Sequence, residues 1–209
     1  RFGQSIWYDN MRRSMISSGE LQRLVDIGIT GITSNPTIFE KAITGSTDYD
    51  ETLSALVSEG MGVVDSYEAL TIEDIQNAAD ILRPVYESTD GVDGYASLEV
   101  SPLLAQDTDA TVEEAARLYS TLNRPNVLVK VPATPEGIPA IRSLIGKGIN
   151  INVTLIFSLN AYADVMEAYI AGLEDLVQGG GDVTKSASVA SFFVSRVDTM
   201  VDQLIEKHE

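Results

Sequence analysis

Six short stretches of this chain read as strands from their apolar and β-branched content, and three of them separate an apolar face from a more polar one at the two-residue period of a strand. The six are QSIWYD (4–9), GITGITSNP (28–36), GYASLEVSP (94–102), NVLVKVP (126–132), NINVTLIF (150–157) and SASVASFFV (186–194). Between them apolar residues recur every three or four positions, the period of an amphipathic helix. Thr111 followed by Glu114 predicts a capping box opening a helix over VEEAARLYSTLN, and Thr71 with Asp74 predicts another for IEDIQNAADILRPVYE. SLNAYADVMEAYIAGLEDLV has helical spacing and is stopped by the glycines at 179–181. Gly28, Gly31, Gly146 and Gly148 fall where helices are expected to turn back into strands.

Strand and helix in regular succession predict βα units and a parallel sheet. In NVLVKVP the phase puts Val127, Val129 and Val131 on one face and Asn126, Leu128 and Lys130 on the other. NINVTL separates Ile151, Val153 and Leu155 from Asn150, Asn152 and Thr154, and SLEVS separates Leu98 and Val100 from Ser97, Glu99 and Ser101. A doubly wound sheet buries both faces and reads as unbroken apolar runs. Here one face turns polar toward the end of each strand, as in a barrel with its site at the C-terminal mouth. No G-x-G-x-x-G follows the first strand, which argues against a dinucleotide site. The expected fold is therefore α/β, of the (β/α)8 TIM-barrel type. A closed barrel has eight strands and about 250 residues. Six are legible here, and residues 37–93 read as a helical excursion, so 1–209 reads as one barrel domain lacking its last two βα units. Strands one and six would then be open edges.

Composition narrows the chemistry. The chain is long enough for a substantial core. No apolar run reaches the roughly 18 to 20 residues of a membrane span, and no secretory signal is visible. The chain opens on Arg1 rather than Met, which reads as a trimmed start. It has no cysteine and one histidine, His208, which leaves no thiolate chemistry and no histidine-based triad or zinc site. A net charge of -17 argues against wrapping nucleic acid.

Against that acidic background, Lys130 in the middle of an apolar strand needs a reason. The polar residues near the strand ends are Asp9, Asn35, Glu99, Lys130, Asn152, Thr154 and Ser191, with Arg196 just beyond. A lysine among apolar walls is disfavoured as the cation, which frees an amine to attack a ketone and form a Schiff base. Two carboxylates can then move protons, and asparagines can hold the hydroxyls of a short polyol. Each residue also has a plainer reading. Lys130 could pair with Glu99, Asn35 could form a turn before Pro36, and Asp9 could cap a helix. Asn152, Thr154 and Ser191 could satisfy backbone groups, and Arg196 could be solvated. The plainer reading needs the same coincidence on six strands.

QSIWYDNMRRSMISSGELQRLVDIGITGITSNPTIFEKAI, NVLVKVPAT, NINVTLIFS and ASVASFFVSRVD together resemble the transaldolases of the longer bacterial type, in the order those enzymes have them. The resemblance implies that Lys130 is the Schiff-base lysine and that Glu99 works through a water held with Thr154. It implies that Asp9 is the acid/base residue on the hydroxyl whose proton leaves as the carbon–carbon bond breaks. Asn35, Asn152 and Ser191 would bind the dihydroxyacetone portion, and Arg196 a phosphate. The implied reaction passes dihydroxyacetone from sedoheptulose 7-phosphate to glyceraldehyde 3-phosphate, giving erythrose 4-phosphate and fructose 6-phosphate, in the cytoplasmic pentose phosphate pathway. It uses no metal and no cofactor, because the protonated imine is the electron sink. The alternatives are another Schiff-base aldolase, such as a fructose-6-phosphate aldolase, and a non-catalytic fragment. Family members take further phosphate ligands from last strands absent here. The resemblance therefore also implies weak or absent activity on phosphorylated substrates, and self-association or a complementing C-terminal segment.

Overall fold

The computed structural model describes residues 3–207, so His208 lies outside the described residues. The chain forms two compact units. One takes in the chain up to Pro102 together with Arg117–Val129, and the other Leu103–Ala116 together with the chain from Lys130 onward.

In the first unit β1 (Ile6–Asp9), β2 (Ile29–Thr33) and β3 (Tyr95–Glu99) are parallel neighbours. Asp9 is level with Thr33, and Thr33 with Ser97. The helices α1 (Arg13–Ser17) and α2 (Glu20–Asp26) join β1 to β2. Gly28, at φ +112, turns α2 into β2 as its sequence position predicts. Gly31 does not make such a turn. It lies inside β2 under the indole of Trp7, and a Cβ there would sit 2.4 Å from Trp7 Cδ2. The indole Nε1 of Trp7 donates to Asp93 Oδ1 at 3.1 Å, and Asp93 also accepts from Ser5, which ties the approaches to β1 and β3 together.

Between β2 and β3 come α3 (Pro36–Thr44), α4 (Asp50–Ser58) and α5 (Val63–Ser88). The helix α5 buries Leu70, Ile75, Ala78, Ala79 and Leu82 and packs on β3. It starts at Val63 with Gly62 as N-cap, eight residues ahead of the capping box expected at Thr71. The exposed Val63 and Val64 hide the amphipathic pattern of its first turns. Thr71 instead hydrogen-bonds back to Glu68 O at 3.0 Å, and Asp74 is committed elsewhere. Its buried carboxylate accepts from Arg13 Nε and Tyr49 Oη, both at 2.8 Å. Arg13 also donates to Thr52 at 2.8 Å and Glu73 at 2.6 Å, and its own backbone N–H donates to Tyr49 Oη at 3.0 Å. Burial pushes the Asp74 carboxyl up, while the Tyr49 hydroxyl and the Arg13 cation pull it back.

The helix α6 (Thr108–Leu122) precedes β4 (Val127–Pro132), every residue of which is buried. The cap of α6 is Asp107, which accepts from Ala110 N–H at 2.9 Å. Thr111, the expected cap, lies in the first turn and donates to Leu104 O at 2.9 Å. At the start of β4, Asn126 Nδ2 donates to Ala79 O and Gly94 O, both at 2.8 Å, so its role is structural.

The second unit continues with α7 (Gly137–Gly146), β5 (Ile151–Ile156), α8 (Leu159–Gln178), β6 (Ser188–Phe192) and α9 (Val194–Glu206). The helix α8 is capped by Ser158 and ends at Gly179. It packs closely on α7 because Gly172 has no side chain, where a Cβ would lie 2.8 Å from Ile145 Cβ. Gly146 ends α7 rather than following it, and Gly148, at φ +73, makes the turn toward β5. Arg142 and Asp175 pair across α7 and α8 at 2.7 and 3.0 Å. The strands β5 and β6 are parallel, with Asn152 level with Val189. Leu155 departs from the expected alternation: it is exposed, at φ +60, while Ile156 is fully buried.

Strand order follows chain order, β1-β2-β3-β4-β5-β6. A doubly wound sheet reverses at a switch point, and among the described residues there is no reversal. This is the winding of a (β/α)8 barrel, with six units present. No helix among the described residues is long and apolar enough to cross a membrane.

Candidate active site

Three of the expected residues belong to the first unit. Asp9 is the last residue of β1 and is exposed. The turn after it is held by Asn10 Oδ1, which accepts from Met11 N–H at 2.9 Å, and by the fully buried Met11. Asn35 follows β2 and caps α3, its Oδ1 accepting from Ile38 N–H at 2.9 Å with Pro36 at the first helical position. The cap places Oδ1 on the helix side and leaves the Nδ2 limb on the other. Glu99 ends β3 and is half-buried. Its charge is felt on α5: burial first, then Glu99 and Glu40, push the Tyr67 hydroxyl up to about 12.

The other five belong to the second unit. Lys130 is 5% exposed within β4, and Asn152 and Thr154 on β5 are each 1% exposed. Asn152 accepts from Ser191 Oγ of β6 at 3.0 Å, which joins two of the expected residues directly. The backbone carbonyl of Thr154 accepts from Ala133 N–H, three residues past Lys130, at 2.8 Å. Arg196 lies in the first turn of α9, exposed, its guanidinium 4.7 Å from the centre of the Phe193 ring.

The unit thus carries a buried amine, a buried carboxamide and two hydroxyls on successive strands, with a surface guanidinium beyond them. Such a set suits a polyhydroxylated carbonyl compound bearing an anion: the amine can attack carbon, the carboxamide and hydroxyls can bond to hydroxyls, and the guanidinium can meet a phosphate. Tyr67, whose hydroxyl feels the charge of Glu99, and the Arg13–Asp74–Tyr49 network went unread in the sequence. Both depend on partners distant in sequence that no periodicity distinguishes.

The winding defines a (β/α)-barrel type of protein, here with a lysine buried in β4. Residues 6–209 match the Transaldolase/Fructose-6-phosphate aldolase family. The chain belongs to this family. It is 50% identical over 206 residues to a transaldolase of Trichodesmium erythraeum, covering 98% of this chain and 54% of the relative. It is 51% identical over 206 residues to transaldolase 2 of Nostoc sp., covering 98% and 54%. It is 51% identical over 208 residues to a transaldolase of Saccharopolyspora erythraea, covering 99% and 56%. The chain thus spans about half the length of the curated relatives it matches.

Proposed function

We propose that this chain, read as one barrel domain, performs the chemistry of a cytoplasmic transaldolase of the pentose phosphate pathway, moving dihydroxyacetone between sugar phosphates. The observation that carries the reading is Lys130. It is an amine buried in β4, while the neighbouring β5 buries Asn152 and Thr154 and β6 ties Ser191 to Asn152.

In this reading Lys130 Nζ adds to the C2 carbonyl of the ketose phosphate. Glu99, through a water held with Thr154, supplies the proton with which the carbinolamine hydroxyl leaves as water. Asp9 takes the proton of the C4 hydroxyl, and the electrons of the C3–C4 bond pass into the iminium to give an enamine. The aldose phosphate departs, the enamine carbon attacks the aldehyde of the acceptor, and Asp9 returns its proton. Hydrolysis then frees Lys130. Asn35 and Asn152 hold the dihydroxyacetone hydroxyls, Ser191 orients Asn152 in the same cluster, and Arg196 meets a phosphate. Val194, Val197, Val201 and Leu204 form an exposed apolar face on α9, covered in the working assembly by a second copy of the chain or by a complementing C-terminal segment.

Borohydride reduction with fructose 6-phosphate, followed by peptide mapping, tests the reading. The expected adduct is on Lys130 and absent from Lys130→Ala. Label on another lysine, or an undiminished adduct in Lys130→Ala, overturns it. The family name also covers fructose-6-phosphate aldolases. Product analysis with and without erythrose 4-phosphate separates transfer from simple cleavage.

A further inference from the structure

Three non-glycine residues among those described have positive φ: Asp90 at 51°, Asn123 at 44° and Leu155 at 60°. Asp and Asn tolerate this region because their short polar side chains bond locally, and both stand outside strands here. Leu155 has no such help and lies inside β5. Its side chain is 40% exposed, so packing does not account for the strained backbone.

The pairing of β5 with β6 shows what the strain accomplishes. Val153 is level with Ala190, but Ile156 is level with Phe192, so β5 spends three steps where β6 spends two. The extra residue is a bulge at Thr154–Leu155. Beyond it the phase is reset. Ile156 returns to the core fully buried, and its carbonyl accepts from Phe193 N–H at 2.9 Å. Within the bulge Thr154 is held against the other neighbour, its carbonyl accepting from Ala133 N–H beyond the end of β4. Bulges near the ends of barrel strands re-aim side chains, and this one follows Asn152 and contains Thr154.

We propose that Leu155 is a positioning residue for the Schiff-base site. Its left-handed backbone makes the bulge that sets Thr154 beside the β4 segment bearing Lys130. The inference rests on the transaldolase reading given above, in which Thr154 helps hold the water that serves the amine.

Two substitutions pull in opposite directions. Strand propensity ranks Val above Leu above Gly, whereas tolerance of positive φ ranks Gly above Leu above Val. If the bulge is required, Leu155→Gly keeps it and Leu155→Val forces it out. The 209-residue chain and both variants are heated, then labelled with dihydroxyacetone and borohydride at a temperature where all three are folded. Leu155→Gly should melt at or above the parent and label Lys130 at a similar rate. Leu155→Val should melt lower and label roughly 10- to 100-fold more slowly per folded molecule. A Leu155→Val variant that melts higher, or labels as fast as the parent, overturns the proposal while leaving the transaldolase reading in place. Equal slowing in both variants also overturns it, because the side chain and not the backbone would then matter. A parent chain that takes no label on Lys130 overturns the transaldolase reading and the positioning role together, and the melting order still decides whether the bulge is required.

Discussion

The Ser191 hydroxyl on β6 donates a hydrogen bond to Oδ1 of Asn152 on β5, at 3.0 Å. With Oδ1 facing a donor, the orientation of the buried carboxamide is set, and its Nδ2 side is fixed with it. In the proposed reaction this amide binds a substrate hydroxyl, so Ser191 acts on binding through Asn152. Ser191→Ala should leave trapping at saturating ketose nearly unchanged and raise the half-saturating concentration. Loss of one neutral hydrogen bond is worth about 0.5–1.5 kcal/mol, which is roughly 2- to 10-fold in concentration. The measurement is borohydride trapping against fructose 6-phosphate concentration. A fall in the plateau with no shift in half-saturation would count against this role.

Glu99 and Asp9 end different strands in different settings, one half-buried and one exposed. Separate proton transfers follow if the proposed roles hold. Glu99→Gln should slow the appearance of the imine, and Asp9→Asn should permit the imine but block carbon–carbon cleavage, each by about 100-fold or more. Rapid-quench trapping separates the two steps. Normal trapping and turnover in either variant would remove that residue from the mechanism.

Much of this arrangement is legible in the sequence because strand alternation is a strict period of two. Lys130, Asn152 and Thr154 stand out as the polar face of otherwise apolar strands, and all three are buried. The pattern misplaces Leu155, because a bulge adds one residue and reverses the phase after it. It misplaces the start of α5 as well. Thr71 and Asp74 have the spacing of a cap, yet Thr71 bonds within the helix and Asp74 is drawn to Arg13, a partner 61 residues away. Local spacing carries no information about a partner so distant.

Tyr67 offers a spectroscopic reading of the charge on Glu99. Its hydroxyl is raised from 10.0 to about 12 by burial, then by Glu99 and Glu40. Replacing Glu99 with Gln should bring the titration of Tyr67 down, though not fully to 10, because burial is the larger cause. The sign for stability follows. The folded chain holds Tyr67 neutral above the value of the unfolded chain, so its contribution is complete below pH 10 and is lost as pH rises toward 12. Tyr67→Phe should therefore lose less stability than the parent over that window. Denaturant titrations at several pH values, with tyrosinate absorbance as a second probe, check both. An unchanged Tyr67 titration in Glu99→Gln would mean that the two groups do not interact.

Arg13 and Asp74 form the buried ionic link of the first unit, their side chains 16% and 0% exposed. Truncating one partner strands the other charge away from water. Asp74→Ala should cost about 3–5 kcal/mol. Tyr49→Phe removes only one hydroxyl from the network and should cost about 1–3 kcal/mol. Glu73 meets the same guanidinium from a half-exposed position, and Glu73→Ala should cost about 1 kcal/mol or less. Urea denaturation of the three variants gives the order. Equal costs for Asp74→Ala and Glu73→Ala would show that the buried pair does not anchor α1 to α5.

The last helix carries an apolar stripe with no cover. Val194, Val197, Val201 and Leu204 repeat at three and four residues, the spacing of a heptad seam, and are 56%, 37%, 47% and 49% exposed. Met200 and Ile205 widen the stripe, at 59% and 53% exposed. A contiguous apolar face of this kind tends to be covered in solution. The opposing force is the net charge of -17, which repels a second copy and which salt screens. The chain should therefore associate with rising concentration, and more strongly as salt is raised. Sedimentation should show species heavier than 22.5 kDa, returning to monomer in Val201→Glu. If a complementing segment is the natural cover, adding the C-terminal portion of a relative should compete with self-association and give a defined one-to-one complex. A parent chain that stays monomeric at high salt and high concentration, and binds no such segment, would show that this face needs no partner.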